Sequence, residues 1–225
     1  MLGIISDIHG NYPALQAVLK QLDKRGCDEI ISLGDVCGYY CMVNECIEEL
    51  RARGVVNILG NHDYYLVNGE KCGRSYSANL CLDYQRRVLK QDNLVWVKQS
   101  VEYIKRDNIW LVHGGWNDYL DEYISDFSFL NQECGSTSIF VSGHTHVQKH
   151  VEGENAIYIN PGSVGQPRDY DSRAAFAIID DNGEIQFGRT EYDIDCIEFA
   201  MEQAGFQRRI SSCLYSGTKI GENKK

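Results

Sequence analysis

Short apolar stretches that end abruptly at polar residues recur along this chain of 225 residues. The first covers residues 2–5 and runs into Asp7 and His9; it is too short for a transmembrane span and has no basic flank. Later stretches end in the same way, at Asp35, Asn61, His113, and His144 with His146. Such stretches are typical of buried β-strands, so we expect the polar side chains to lie at the ends of strands.

Helical patterns separate the first three stretches. Apolar residues at 15, 18, 19 and 22 recur at helical spacing, with Pro13 suited to the first turn and Gly26 to the C-terminal stop. A strand over 29–33, a helix over 43–53 and a strand over 55–59 follow. This alternation of strands and helices predicts an α/β unit with a parallel sheet.

The rest of the chain departs from this simple alternation. Residues 64–108 contain many tyrosines and charged helical stretches, and we interpret them as a helical insertion over one rim of the sheet, near the site. Further strands are expected over 109–112, 139–142 and 157–159, then a hairpin of 174–179 and 184–190 and a helix over 195–204. Residues 1–205 are interpreted as one domain and residues 206–225 as a polar C-terminal tail.

Charge and cysteine content argue against several kinds of partner. The net charge of −10, without runs of Lys or Arg, disfavours binding to a nucleic-acid duplex. The chain has no apolar stretch of about 18 residues and no basic amphipathic segment, so no membrane association is expected. Nine irregularly spaced cysteines and no signal peptide indicate reduced thiols and a cytoplasmic location. The oligomeric state is left open.

The polar strand ends combine carboxylates, imidazoles and one amide. Functional groups of open α/β sheets gather at the carboxyl ends of strands, so these side chains are able to converge despite their distance in sequence. Carboxylates mixed with imidazoles, without a thiolate, suit two divalent transition ions that share one carboxylate. Two dications and two aspartates leave a formal charge of about +2 (+4 − 2) for a hydroxide and an anionic phosphate.

The order of the motifs carries a family resemblance. The motifs are Asp7-x-His9, Gly34-Asp35, Gly60-Asn61-His62-Asp63, His113-Gly114 and Gly143-His144-Thr145-His146. In this order they resemble the calcineurin-like metallophosphoesterase superfamily, and the segment 160–168 resembles its small single-domain bacterial and archaeal members. The resemblance implies an α/β fold of two mixed β-sheets packed as a sandwich and flanked by helices, in place of a single parallel sheet.

The resemblance also implies a set of metal ligands. One ion would be held by Asp7, His9 and His146, and the other by Asn61, His113 and His144. Asp35 would bridge the two ions. Manganese is favoured, with iron, zinc, nickel and cobalt as alternatives.

Substrate-facing roles follow from the same resemblance. Asn61 and His62 would face the substrate, and His62, as an imidazolium near its normal pKa, would protonate the leaving oxygen. Asp63 would orient His62, or would serve only as a helix cap. Arg168 would hold a substrate phosphate, or would pair with a neighbouring aspartate, Asp169 or Asp171.

One departure from the family pattern affects the expected substrate fit. Many relatives have Gly-Tyr-Gly-Pro after the second aspartate, whereas this chain has Gly38-Tyr39-Tyr40-Cys41. Because the loop borders the site, substrate preferences do not transfer directly from relatives.

The resemblance implies hydrolysis of a small phosphate ester, most simply a phosphodiester, through attack by a metal-bound hydroxide. A nucleoside polyphosphate hydrolase and a protein phosphatase are the alternatives within enzymes. The protein phosphatase is disfavoured by Asn61-His62-Asp63, because those enzymes usually carry Asn-His-Glu. A non-catalytic scaffold on the same fold would be expected to lose ligands, and here none is lost.

Overall fold

The computed structural model describes residues 1–133 and 135–222, and places ten strands and six α-helices in them. The strands are β1 (Leu2–Ile5), β2 (Glu29–Ser32), β3 (Val56–Asn57), β4 (Tyr103–Arg106), β5 (Ile109–Val112), β6 (Ile139–Val141), β7 (Gln148–Glu152), β8 (Ile157–Pro161), β9 (Ala174–Ile179) and β10 (Ile185–Thr190). The helices are α1 (Tyr12–Lys24), α2 (Val43–Ala52), α3 (Asn61–Asn68), α4 (Tyr76–Val88), α5 (Gln91–Lys98) and α6 (Ile194–Gln203).

The strands form two mixed five-stranded sheets. The first has the order β10-β9-β1-β2-β3, in which β1, β2 and β3 are parallel and β9 is antiparallel to both neighbours. The second has the order β4-β5-β6-β8-β7, with antiparallel strands at both edges. The two mixed sheets are therefore confirmed. A single parallel sheet is wrong, because the strand–helix repeat ends at β3 and the strands from β4 to β8 pair among themselves.

Alternation along β1 shows how the layers are assembled. Ile4 points between the sheets and packs with Ile31 of β2 and with Leu111 and Val141 of the second sheet. Its neighbour Ile5 points to the opposite face, where helices α1 and α2 cover the first sheet. Both isoleucines are fully buried, and each such side chain stabilises the fold by about 1.5–3 kcal/mol.

The predicted helical insertion at 64–108 is helical only in part. Helices α3, α4 and α5 cover most of residues 61–98, but Tyr103–Arg106 forms strand β4 and pairs antiparallel with β5. The helical interpretation is wrong for residues 103–106, because their side chains are alternately exposed and packed, as in a strand at the edge of a sheet. Tyr103 and Lys105 are exposed, whereas Ile104 packs against the core between the sheets.

The C-terminal segment is packed, in contrast to the predicted polar tail. Short 3₁₀ turns at Arg208–Ile210 and Ser212–Tyr215 bury Ile210 and Leu214 against Met201 of α6. The tail interpretation is wrong for residues 206–222, because sparse apolar residues suffice to dock a short segment on an existing core. Residues 223–225 lie outside the described residues.

Within residues 1–133 and 135–222, no helix is long and apolar enough to cross a membrane.

Candidate metal centre

The seven predicted ligands meet at the carboxyl ends of strands from both sheets. Asp7 and His9 follow β1, Asp35 follows β2, and Asn61 begins α3 after β3. His113 follows β5, and the loop after β6 carries the last two histidines, His144 and His146. All seven side chains are at most 4% exposed. The structure therefore brings together residues that lie up to 139 positions apart (146 − 7).

These side chains form two compact groups. In the first, Asp7, His9 and His146 each offer a ligand atom, and these atoms lie within 4.8 Å of one another. Asp35, His113 and His144 form the second group by the same measure. Each group has the size and the mixture of carboxylate and imidazole that suits one divalent transition ion.

The histidines of the first group point their lone pairs at each other. His9 Nδ1 donates to the Cys37 carbonyl at 2.7 Å, and His146 Nδ1 donates to the Gln166 carbonyl at 2.6 Å. Each ring therefore keeps a proton on Nδ1, and in the neutral form Nε2 carries a lone pair. The two Nε2 atoms are 3.1 Å apart. Burial lowers the pKa of both rings, so the pair is arranged to bind a cation.

The second group repeats this arrangement. His113 Nδ1 donates to the Leu33 carbonyl at 2.8 Å, which leaves the Nε2 lone pair facing Asn61 Oδ1 at 3.1 Å. Two acceptors in contact repel unless a cation lies between them. His144 Nε2 is buried without a hydrogen-bond partner, and burial lowers the pKa of this ring to about 2. These donors also fit a divalent ion.

Asp7 holds one oxygen in place and leaves the other free. Its Oδ2 accepts hydrogen bonds from the Ser6 hydroxyl at 2.6 Å and from the His144 backbone N–H at 3.0 Å. Its Oδ1 is buried without a partner, 3.2 Å from His146 Nε2. A buried, unpaired carboxylate oxygen is costly, and a metal ion would remove that cost.

Asp35 lies between the two groups. Its Oδ2 is 3.7 Å from His9 Nε2 and 3.5 Å from His113 Nε2. Its Oδ1 accepts the backbone N–H of His62 at 2.8 Å, in the first turn of α3. Burial and the nearby Asp7 carboxylate raise the pKa of Asp35 well above its usual range, which cations on either side would reverse.

Backbone conformation also marks this site. Asp7, His9, Asp35, His144 and His146 all have positive φ, between 53° and 63°. Only Asp107 and Tyr170 share this property among the other non-glycine residues of the described ranges. A left-handed non-glycine residue costs about 1–3 kcal/mol. The fold thus maintains five strained positions at the ligands.

The environment of His62 differs from the expectation of a normal pKa. The ring is 5% exposed and its Nδ1 has no hydrogen-bond partner. Burial, with the charge of Arg168 as the next cause, lowers the pKa of His62 to about 3. This pKa is lower than the normal value that was expected, so His62 needs additional negative charge nearby to hold a proton at neutral pH.

Asp63 contacts the backbone around His62 instead of the imidazole. Its Oδ1 accepts from the Cys37 N–H at 2.9 Å, and its Oδ2 lies 3.3 Å from both the Gly60 N–H and Asn57 Nδ2. No hydrogen bond joins the two side chains in the described structure, so an orienting effect of Asp63 on His62 would act through the backbone. Asp63 caps α3 and ties it to the loop after Asp35.

Arg168 faces the site without a carboxylate partner among the described residues. Asp169 pairs with Arg189, and Asp171 pairs with Arg173, so the alternative of a neighbouring ion pair is wrong. The guanidinium donates to Gln166 Oε1 through Nε at 3.0 Å and lies 5.4 Å from the Tyr39 ring centroid. Arg168 is therefore available to an anion.

A cleft of about 260 Å³ opens beside the ligands. Its walls include Asp35, Tyr39, Asn61, His62, Cys72, Arg74, Ser75, Ser77, Tyr123, His144, His146, Gln166, Arg168, Lys219 and Ile220. Sequence reasoning missed Arg74, Tyr123 and Lys219. None of them follows a predicted strand, so the pattern that located the ligands contains no signal for them.

The sandwich and its convergent Asp, Asn and His side chains are those of a metallophosphoesterase. The sequence model of the calcineurin-like phosphoesterase superfamily domain matches residues 1–183. The chain belongs to this superfamily.

Known relatives agree with this assignment. The chain is 34% identical over 223 residues to the uncharacterized protein MJ0912 of Methanocaldococcus jannaschii, which covers 86% of this chain and 88% of the relative. It is 24% identical over 161 residues to phosphodiesterase MJ0936 of the same organism, covering 72% and 82% of the two chains. The crystal structure of a metallophosphoesterase from Sphaerobacter thermophilus superimposes with a TM-score of 0.84 and 29% identity, covering 96% and 99%.

Proposed function

We propose that this protein is a dinuclear metal-dependent phosphoesterase that hydrolyses a small phosphodiester. The observation that carries the proposal is the position of Asp35 Oδ2, within 3.7 Å of a histidine Nε2 from each ligand group. One carboxylate in contact with both groups supports a pair of ions that share a ligand. Such ions, when bound, supply Lewis acidity to the phosphoryl oxygens and to the attacking water.

The proposed ligands follow the two groups. Asp7, His9 and His146 would hold one ion, Asn61, His113 and His144 would hold the other, and Asp35 would be shared between them. Manganese is favoured because the donor set is rich in oxygen as well as imidazole; iron, zinc, nickel and cobalt also suit it. The carboxylates of Asp7 and Asp35 are both buried. Two buried negative charges are costly without positive charge beside them, and this supports the binding of cations here.

Two side chains act on the substrate in this proposal. Arg168 lines the cleft and neutralises a phosphoryl oxygen through its planar guanidinium. His62 lines the same cleft, and the negative charge of a bound phosphate would raise the pKa of this ring from its low value of about 3, so that the ring can carry a proton to the leaving oxygen. Asn61 faces the cleft beside it.

The preference for a diester rests on two considerations. The charge of about +2 that remains after two dications and two aspartates is matched by one hydroxide and one singly charged phosphodiester. The relative MJ0936 is named a phosphodiesterase. A pyrophosphate bond of a nucleoside polyphosphate remains the alternative. A cleft of about 260 Å³ favours small substrates over a phosphoprotein, and the complete ligand set disfavours a scaffold.

We also propose a cytoplasmic location. The eight cysteines that the structure describes are free thiols, and free thiols are typical of reducing compartments.

The direct test is reconstitution of activity from the metal-stripped protein. We expect no hydrolysis of bis(p-nitrophenyl) phosphate after chelation, and recovery with Mn²⁺ or a similar ion. A paired screen of monoesters, diesters and pyrophosphates ranks the substrate classes. Inactivity with every divalent ion would favour the scaffold.

A further inference from the structure

We propose that Lys219 and Arg74 form a second anion subsite at the outer rim of the cleft, which takes a second phosphate group of the substrate. This inference rests on the proposed phosphoesterase function and adds a substrate class, namely phosphate esters that carry another phosphate group. Both cations line the same cleft as His62 and Arg168. Lys219 lies outside the residues matched by the superfamily model, so the subsite belongs in part to the C-terminal segment.

The C-terminal segment is attached to the loop that carries Arg168. The backbone N–H of Tyr170 donates to the Gly217 carbonyl at 2.8 Å. Gly217 has a φ of 63°, and a Cβ at this position would lie 2.5 Å from the Asp171 carbonyl oxygen. Only a glycine permits this close approach. Lys219, two residues farther along, is thereby placed beside the Arg168 loop.

A second, buried set of contacts also connects the Arg168 loop to the C-terminal segment. Gln166, which receives the Arg168 guanidinium, donates through Nε2 to the Tyr40 hydroxyl at 3.0 Å. That hydroxyl lies 3.7 Å from Cys213 Sγ in the C-terminal segment. Gln166 and Tyr40 are fully buried. The position of the segment is therefore fixed by the core.

Arg74 is held on the His144 side of the cleft. Its guanidinium pairs with Asp121 and lies 5.5 Å from the ring centroid of Tyr123. The Tyr123 ring in turn packs 4.3 Å from the His144 ring. Ser75 and Ser77, at the start of α4, line the rim beside Arg74 and add hydroxyl donors. These contacts hold the Arg74 side chain in the wall of the cleft.

The charges of the cleft exceed what a simple diester requires. The two proposed ions and two aspartates already balance a hydroxide and one diester. Arg168 and Lys219 have no carboxylate within salt-bridge distance in the described part of the chain, while Asp121 neutralises Arg74. With Arg168 assigned to the reacting phosphoryl group and Arg74 paired with Asp121, Lys219 keeps a formal charge of +1 that no carboxylate of the described residues balances, in a chain whose net charge is −10. A second phosphate group on the substrate would balance this charge and would accept hydrogen bonds from the Arg74 guanidinium.

A matched pair of substrates tests the subsite. Thymidine 5′-(p-nitrophenyl phosphate) and its 3′-phosphorylated counterpart release the same leaving group and differ only in the second phosphate. With the manganese-loaded protein, we expect kcat/KM to be about tenfold higher for the 3′-phosphorylated substrate. Lys219→Met should reduce this preference about threefold to fivefold, mainly through KM, because an exposed charge contributes only modestly to binding.

Two further variants and a binding measurement separate the subsite from general effects. Arg74→Met should reduce the preference in the same way, whereas Lys20→Met, an exposed charge on α1, should leave it unchanged. Calorimetry should show tighter binding of thymidine 3′,5′-bisphosphate than of thymidine 5′-monophosphate, and this difference should shrink in Lys219→Met.

The outcomes distinguish failure of the proposed phosphoesterase function from failure of the second anion subsite. If neither substrate is hydrolysed, the proposed function fails. If both are hydrolysed equally well, or if Lys219→Met and Arg74→Met keep the full preference, the subsite is overturned and the phosphoesterase remains. Equal losses on both substrates in these variants would also overturn it, because they would indicate a structural role.

Discussion

His9 and His146 face each other with their Nε2 atoms 3.1 Å apart, while the Nδ1 atom of each ring donates to a backbone carbonyl. The carbonyls fix the tautomer, so the two lone pairs converge on one point. Two neutral rings in this geometry make no favourable contact through their Nε2 atoms, whereas a cation between them would interact favourably with both lone pairs. The same reasoning applies to His113 and Asn61 in the second group.

Replacing Asp35 by Asn should reduce the metal content from about two ions per chain to one or fewer, because its Oδ2 contacts both ligand groups. Metal analysis after dialysis measures the stoichiometry. Asp126→Asn, at an exposed position, is the matched control and should keep both ions. Two ions retained in Asp35→Asn would contradict the bridging role.

Replacing Gly38 by Ala should impair the site by sterics alone. A Cβ there would lie 2.3 Å from His9 Nδ1 and 3.0 Å from His62 Nδ1, at a φ of 126°. We expect turnover to fall by at least about a hundredfold, because ligand and substrate-facing rings both shift. Gly54→Ala is the control, since Gly54 also has positive φ (67°) but no atom within 4 Å of the added Cβ. Similar activity of the two variants would argue against this packing.

His62→Asn should lower turnover while both ions stay bound, and the loss should be largest for esters with poor leaving groups. A proton donor matters most when the leaving oxygen is basic. Steady-state kinetics on aryl esters of graded phenol pKa gives the dependence. Losses of the same size across the series would contradict proton donation.

The lowered pKa of His62 predicts a stability change in the metal-free protein. Between the ordinary pKa of 6.5 and the folded value of about 3, the unfolded chain binds a proton that the folded site does not. Stability is therefore full above about pH 6.5 and decreases as the pH falls, with about 1.4 kcal/mol per pH unit from this ring. Urea unfolding at two pH values should show a shallower decrease in His62→Asn; identical slopes would refute the assignment.

The convergence of the candidate ligands was predictable from sequence because one rule locates all of these side chains. Asp7, Asp35 and His113 each follow an apolar run, and strand ends converge in α/β folds whatever the number of sheets. The family resemblance predicted two packed sheets, whereas the alternation of strands and helices along the chain predicted a single parallel sheet. Such local patterns contain no information on which strands pair. Strand β4, for example, was predicted to be helical but pairs with β5.

The outer part of the cleft was not predictable in the same way. Lys219 depends on a tertiary contact between Tyr170 and Gly217, and Arg74 depends on an ion pair with Asp121. Neither contact leaves a periodic or local signal. The pKa of His62 likewise depends on burial and on Arg168, which sequence spacing does not reveal.

Anomalous diffraction from crystals grown with Mn²⁺ would locate the two proposed ions. We expect two peaks, one among Asp7, His9 and His146 and the other among Asn61, His113 and His144, with Asp35 in contact with both. A single peak, or two peaks that do not share Asp35, would contradict this expectation.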